Sequence, residues 1–313
     1  PDLLKYQKVS NSILKHNEIK IKVVSAGVNF ADTLIIKGKY QERPRPPFSP
    51  GLEVAGTVLE IGKRVKRFKV GDSVMSIMKY GGYKQVVNVP EENTYNIPFS
   101  MPLDIAGGFP VAYGTAYTAL ITKAKIKKGN ICLILGATGG VGVAAVEIAK
   151  AYNCIVIACG GDNKKLKTCI KKGADFVVNY NQEILRTKLK KIGIKEINVV
   201  IDMTGGQIAL DAVKSLSWNG RMVIVGFASG NIPSIPANRL LLKDIAVYGL
   251  YWGEYAYRYP KKIEKEFNNL DRLYRDKKIH PEIFKSFTLK SANKALKYLL
   301  ARKNIGKIVL KCT

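Results

Sequence analysis

Residues 131–142 read Ile-Cys-Leu-Ile-Leu-Gly-Ala-Thr-Gly-Gly-Val-Gly. Five mostly apolar residues run into Gly136, Gly139 and Gly142, and residues 143–152 continue in helix-forming, largely apolar chemistry. A buried strand, a glycine turn and a buried helix make the first unit of a dinucleotide-binding fold. Glycine turns the backbone tightly and lets a pyrophosphate approach the amides at the helix N-terminus. The glycines recur at every third position, unlike the common G-x-G-x-x-G, and a plain strand–helix turn is the alternative reading.

Outward from this turn the pattern repeats. Apolar strands are expected at 131–136, 154–160, 175–180, 197–203, 221–227 and 245–250, with helical segments between the earlier ones. Near-continuous apolar strands alternating with helices predict a doubly wound parallel sheet. Upstream, strand signals at 18–28, 53–61, 72–78 and 83–89 are separated by turns at Gly62, Gly71, Gly81 and Gly82. They predict a compact, barrel-like β domain. Residues 112–125 read as a helix, as do 291–303 in an otherwise mixed tail, and 307–311 close the chain as a strand.

Composition narrows the function classes. The 313 residues suffice for two domains, and 47% hydrophobic with 24% charged residues is globular usage. No apolar run is long enough to cross a bilayer, and no signal peptide is visible, so no membrane insertion is expected. The sequence begins at Pro1 rather than Met, which leaves the true N-terminus open. Five cysteines without C-x-x-C spacing suggest reduced, buried thiols in a cytoplasmic enzyme. The formal charge of +27 would suit a polyanion, but the lysines are scattered and no nucleic-acid motif accompanies them. A nucleic-acid partner is not expected. The two histidines, His16 and His280, stand away from any cysteine or carboxylate cluster. Zinc spacing, a G-x-S-x-G elbow and a Walker lysine are all missing from the sequence, which leaves hydride transfer.

The strand at 154–160 ends in Gly160-Gly161, where an NAD enzyme usually carries an acid for the ribose 2′-hydroxyl. Asp162 comes two residues late and is an ambiguous candidate. Lys164 and Lys165 follow, and Tyr180 ends the neighbouring strand. A small strand-end residue, a lysine and a tyrosine suit a 2′-phosphate, so NADP is expected over NAD. The alternative is that both lysines are ordinary surface residues.

These segments resemble the zinc-free quinone oxidoreductases (zeta-crystallin-like) of the medium-chain dehydrogenase/reductase superfamily. The resemblance rests on residues 26–32 (AGVNFAD), 50–56 (PGLEVAG), 70–72 (VGD), 112–116 (AYGTA) and 139–142 (GGVG). It continues through 173–175 (GAD), 226–230 (GFASG), 251–253 (YWG) and 306–310 (GKIVL). The family's usual N-terminal strand is missing or incomplete in this reading. The resemblance implies an α/β fold: a GroES-like catalytic domain over 1–110 and 251–313, and a Rossmann NADP-binding domain over 111–250. It also implies NADPH in the cleft between them, and a homodimer formed through the strand near 245–251.

By the same resemblance, Gly139, Gly140 and Val141 hold the pyrophosphate, and Gly161, Lys165 and Tyr180 meet the 2′-phosphate. Thr115, Phe227, Ser229, Tyr251 and Trp252 contact the cofactor's other end, and Gly306 and Lys307 touch the nicotinamide. In zinc-dependent relatives a cysteine replaces Asn29 and a histidine replaces Leu52, so no metal is expected. Asn29 and Tyr40 are the candidates to hydrogen-bond the substrate carbonyl. Their alternatives are a satisfied loop backbone for Asn29 and packing for Tyr40. Asp32 is expected to cap the short helix after it. The expected acceptor is a quinone, taking hydride or single electrons. The alternatives are an enone or enoyl-CoA, and a non-catalytic NADPH- and RNA-binding protein.

Overall fold

A computed structural model describes residues 1, 4–10 and 12–312. In chain order its elements begin with β1 (Glu18–Val28), α1 (Phe30–Ile36), β2 (Glu53–Ile61), β3 (Ser73–Ile77), β4 (Val86–Pro90), β5 (Thr94–Asn96), α2 (Leu103–Ala106) and α3 (Pro110–Tyr117). A π-helical stretch, Thr118–Lys123, leads to β6 (Ile131–Leu135), α4 (Gly140–Ala151), β7 (Ile155–Gly160), α5 (Asn163–Lys171), β8 (Phe176–Asn179) and α6 (Leu185–Lys191). Then come β9 (Ile197–Asp202), α7 (Gly206–Lys214), β10 (Leu216–Ile224), α8 (Ala237–Leu241) and β11 (Ala246–Gly249). The chain finishes with α9 (Trp252–Arg258), α10 (Pro260–Arg275), β12 (Ile283–Thr288), α11 (Ala292–Leu300) and β13 (Lys307–Lys311). The chain forms two compact units. One comprises residues 1–114, 253–275 and 281–313, and the other 115–252 and 276–280.

The first unit is built on a seven-stranded sheet ordered β12-β13-β1-β2-β3-β5, with β4 also pairing with β1. The long strand β1 serves two partners along one edge: Glu18–Lys22 pair with β4, and Ser25–Val28 pair with β13. Its alternation is what a sheet with one buried face requires. Ile19, Ile21 and Val23 enter a core with Val54, Val58, Val87, Val89, Leu296 and Ile308, while Lys22 faces out.

In the second unit six parallel strands run in the order β11-β10-β9-β6-β7-β8. From β6 the chain steps outward through β7 and β8, then returns to β9 on the other side of β6. The order therefore reverses between β6 and β9, where Leu135 pairs with Asp202. Ligands of such sheets bind outside the carboxyl ends of the strands at that reversal. The doubly wound sheet and the β-rich unit expected from the pattern are both present.

Several details depart from the sequence reading. Strand β4 starts at Val86 rather than Tyr83, because Tyr83 turns inward and donates its hydroxyl to Asp32 at 2.9 Å. Strand β10 stops at Ile224, since the amides of Val225 and Gly226 turn to the carbonyl of Asp202. The mixed tail holds a sixteen-residue helix, α10, with Ile263, Phe267, Leu270 and Leu273 buried at helical spacing. The expected helix over 112–125 changes to π-helical winding after Tyr117.

Candidate active site

The glycine turn lies at the reversal point of the parallel sheet. Gly136 takes φ +78°, and the amides of Gly136 and Ala137 both bond the carbonyl of Cys159 at 3.0 Å. Gly142 has no room for a side chain: a Cβ there would strike the Gly136 carbonyl oxygen and stand 2.6 Å from the Ala137 Cα. Helix α4 is thereby seated directly on the turn. Gly139 is different. It is the N-cap, with ordinary backbone angles of φ −81° and ψ 175°, and no side chain caps the helix. The first amides of α4, from Gly140 and Val141, emerge uncapped. Such amides with the positive end of the helix dipole suit a pyrophosphate.

At the carboxyl end of β7 the ambiguous acid resolves. Asp162 is the N-cap of α5, its carboxylate accepting the Lys165 amide at 3.1 Å. A carboxylate committed to the helix end leaves the strand end without a ribose-reading acid. Gly161 lies close under two side chains: a Cβ there would stand 3.1 Å from the Tyr180 hydroxyl and 2.8 Å from the Asn181 side-chain nitrogen. Around it runs a network of amides that sequence reasoning missed. Asn181 donates to the Gly161 carbonyl at 2.9 Å, Asn179 donates to Asn163 at 2.8 Å, and Asn163 donates to Gln182 at 2.8 Å. Lys165 and Tyr180 are half-buried here, whereas Lys164 is exposed.

The remaining second-unit candidates divide. Phe227 packs over Gly205, and the Ser229 hydroxyl accepts the Asn231 amide at 3.2 Å. Both sit on the loop after β10, beside the end of β9. There Asp202 accepts the amides of Thr204 at 2.7 Å and Gly205 at 2.9 Å, and burial raises the pKa of its carboxyl. Thr115 is buried in α3. Trp252 is also buried, and its indole N–H donates to the Thr118 hydroxyl at 3.0 Å, which makes it a packing group. Tyr251 beside it is half-buried.

The β-rich unit holds a buried polar cluster that brings two candidates together. The Lys307 ammonium lies 2.6 Å from the Asn29 amide oxygen and 2.5 Å from Glu53 Oε1. Asn29 donates its NH2 to the same Glu53 oxygen at 2.8 Å, while Glu53 Oε2 accepts the Val111 amide at 2.8 Å. With a cation on one side and a carboxylate on the other, the Asn29 amide has one satisfactory orientation. Glu53 is fully buried and went unnoticed in the sequence. Its signal was an acid inside an otherwise apolar strand start, Leu52-Glu53-Val54-Ala55. Two glycines make room for it. A Cβ on Gly27 would collide with the Glu53 carboxylate, and one on Gly108 would stand 2.7 Å from Lys307 Cγ.

Asp32 is the third turn residue of α1 rather than its N-cap, since the helix starts at Phe30. It does cap the helix: its carboxylate accepts the Asn29 amide at 2.7 Å, together with the Gly51 amide at 3.0 Å and the Tyr83 hydroxyl. Burial pushes its pKa up to about 6 in spite of these donors and of the Lys307 charge. Tyr40 and Gly306 are half-buried. Among the described residues no group of three or more His, Cys, Asp or Glu side chains converges as a metal site. All five cysteines are buried and unpaired, and the side chains of His16 and His280 are exposed.

Comparison with known proteins places the chain in a family. The family described as "Alcohol dehydrogenase GroES-like domain" matches residues 15–99, and the family described as "Zinc-binding dehydrogenase" matches 140–269. Quinone oxidoreductase-like protein 2 of Rattus norvegicus is 38% identical over 309 residues, covering 98% of this chain and 88% of the relative. Quinone oxidoreductase of Lama guanicoe is 37% identical over 229 residues, 72% of this chain and 69% of its own. The crystal structure of Escherichia coli quinone oxidoreductase complexed with NADPH superposes with a TM-score of 0.89 at 28% identity, covering 99% of this chain and 96% of that one. The chain belongs to the quinone oxidoreductase family of the medium-chain dehydrogenase/reductase superfamily.

Proposed function

We propose that this protein is an NADPH-dependent, zinc-independent reductase whose acceptor is a quinone. The observation that carries the cofactor assignment is the end of β7, where Asp162 is committed to capping α5. Gly161, Tyr180 and Lys165 lie beside it, and a cation with a hydroxyl suits a phosphate better than a free ribose. The structure of a relative holding NADPH supports the same reading.

Gly139, Gly140 and Val141 would hold the pyrophosphate, and Thr115, Phe227 and Ser229 would bound the nicotinamide half. A cofactor held by these residues would supply a hydride for an acceptor carbon; the acceptor's π pair would then pass to its carbonyl oxygen, to be neutralised by a proton from water. The 115–252 unit serves as the cofactor domain and the β-rich unit as the catalytic domain. The Asn29–Glu53–Lys307 cluster presents an amide and an ammonium where a metal site would need ligating side chains, which supports zinc-free chemistry.

A homodimer through the edge strand β11 is part of the proposal. Tyr248 on that strand and Ile232, Leu241 and Leu242 nearby in sequence are exposed, and an apolar sheet edge of this kind invites pairing.

The test is an NADPH-oxidation screen against 1,4-benzoquinones, enones and enoyl-CoA thioesters. Quinone turnover is expected, and turnover only with enones or enoyl-CoA would reassign the acceptor. NADPH binding without any turnover, accompanied by salt-sensitive RNA binding, would instead favour a non-catalytic role. The paired variant Lys165→Ala with Tyr180→Ala should raise KM for NADPH about 10- to 100-fold, the loss of charge-assisted hydrogen bonds, and leave KM for NADH within about threefold. Equal effects on both cofactors would refute the 2′-phosphate assignment.

A further inference from the structure

The polar cluster of the β-rich unit is built around one cation. An ammonium has three N–H donors. Two of those on Lys307 are engaged, by Glu53 Oε1 and by the Asn29 amide oxygen. Among the described residues the third has no hydrogen-bond partner, and the side chain keeps 9% of its surface. Asn29, by contrast, directs its NH2 to Glu53 at 2.8 Å, with a longer approach to the Gly27 carbonyl at 3.5 Å. The donor in this cluster with capacity left is therefore Lys307.

Stability does not account for the pair. A buried ion pair is often replaceable by apolar side chains without loss, because desolvation offsets the attraction. Yet Gly27 and Gly108 both leave space that the Glu53 and Lys307 side chains fill, so the backbone is shaped to seat them. A buried carboxylate and an amide oxygen that hold a lysine at two points fix the direction of its last N–H. Fixed donors are effective at stabilising charge that develops during a reaction.

We propose that Lys307 is a catalytic residue whose third N–H takes up the negative charge on the acceptor's carbonyl oxygen, and that Glu53 is its positioning residue. This rests on the reductase reading above and names the atom that polarises the acceptor. Lys307 then works on the acceptor instead of touching the cofactor, and Asn29 completes its seat. No bond to the protein forms or breaks. The oxygen gains its charge from the acceptor's own π pair, the ammonium stabilises it through a hydrogen bond, and water supplies the proton.

The test uses 4-nitrophenol, whose ionised and neutral forms differ in visible absorbance, alongside kinetics. Wild-type protein should bind the phenolate in preference to the phenol at a pH where both are present, and Lys307→Met should lose that preference. In turnover Lys307→Met should lower kcat about 100- to 1,000-fold, the effect of removing one preorganised donor, while the NADPH Kd stays within threefold. Lys307→Arg should recover part of kcat. Glu53→Gln should lower kcat with KM for NADPH unchanged.

Should Lys307→Met fold poorly because Glu53 is left unpaired, Glu53→Gln with Lys307→Met removes both charges and should show the same losses. A Lys307→Met or double variant that retains phenolate preference, or a defect confined to NADPH affinity, overturns the assignment. Wild-type protein that oxidises NADPH with no acceptor overturns the reductase reading beneath it.

Discussion

The glycine turn makes a prediction that separates a packing glycine from a ligand-facing one. Gly142→Ala places a methyl against backbone: the Gly136 oxygen, the Ala137 Cα at 2.6 Å and the Ala137 carbonyl carbon at 2.7 Å. None of these belongs to a flexible side chain, so α4 must move off the turn by about 1.2 Å to restore ordinary contact with the Gly136 oxygen, the nearest of them. Overpacking of that kind costs about 1–3 kcal/mol, against which alanine's better helix propensity returns at most about 1. Gly139→Ala meets only the Gly136 oxygen at 3.5 Å, from backbone angles any residue adopts. Its stability should stay within about 0.5 kcal/mol, since the weaker N-cap and the stiffer unfolded chain offset each other. In the proposed cradle, however, its methyl would stand where a pyrophosphate approaches the amides of Gly140 and Val141. NADPH should bind about 10- to 100-fold more weakly, or about 1.4–2.8 kcal/mol. Urea unfolding and NADPH fluorescence titration measure the two effects separately. Gly139→Ala with an unchanged NADPH Kd would refute the cradle, and Gly142→Ala with unchanged stability would refute the packing argument.

Two further outcomes follow from buried groups. Asp32 has its pKa raised to about 6 in the folded protein, so between about pH 4 and 6 the native state holds more protons than the unfolded one. The stability this contributes is complete below the unfolded pKa and is lost, to about 3 kcal/mol, as pH rises through about 6. The difference in urea unfolding free energy between wild type and Asp32→Asn should slope by that amount across the window, and a constant gap would contradict it. Trp252→Phe removes the buried bond to Thr118, and should cost about 1 kcal/mol in thermal unfolding while leaving the NADPH Kd within about twofold.

The parallel sheet was legible because its strands are short apolar runs and its turn glycines are spaced by backbone need. β2 and β13 fall on the residues expected, Glu53–Ile61 and Lys307–Lys311. Helix α10 was passed over although Ile263, Phe267, Leu270 and Leu273 recur at helical spacing, since ten of its sixteen residues are charged or amide-bearing and mask the stripe. Strand β12 is mostly exposed at the sheet edge, so burial imprints little alternation on it. Asn29 and Lys307 were singled out separately, but their meeting depends on β1 and β13 pairing across most of the chain length. The amides at 163, 179, 181 and 182 carry no motif. Only the adjacency of β7 and β8 assembles them.

Gly27 occupies the space into which Glu53 reaches, and its backbone conformation is one any residue accepts. Its identity is therefore set by a neighbour and not by the turn of its own chain. Across related sequences, positions 27 and 53 should change together. A chain that gains a side chain at 27 should give up the long acid at 53, and with it the seat for a cation at 307.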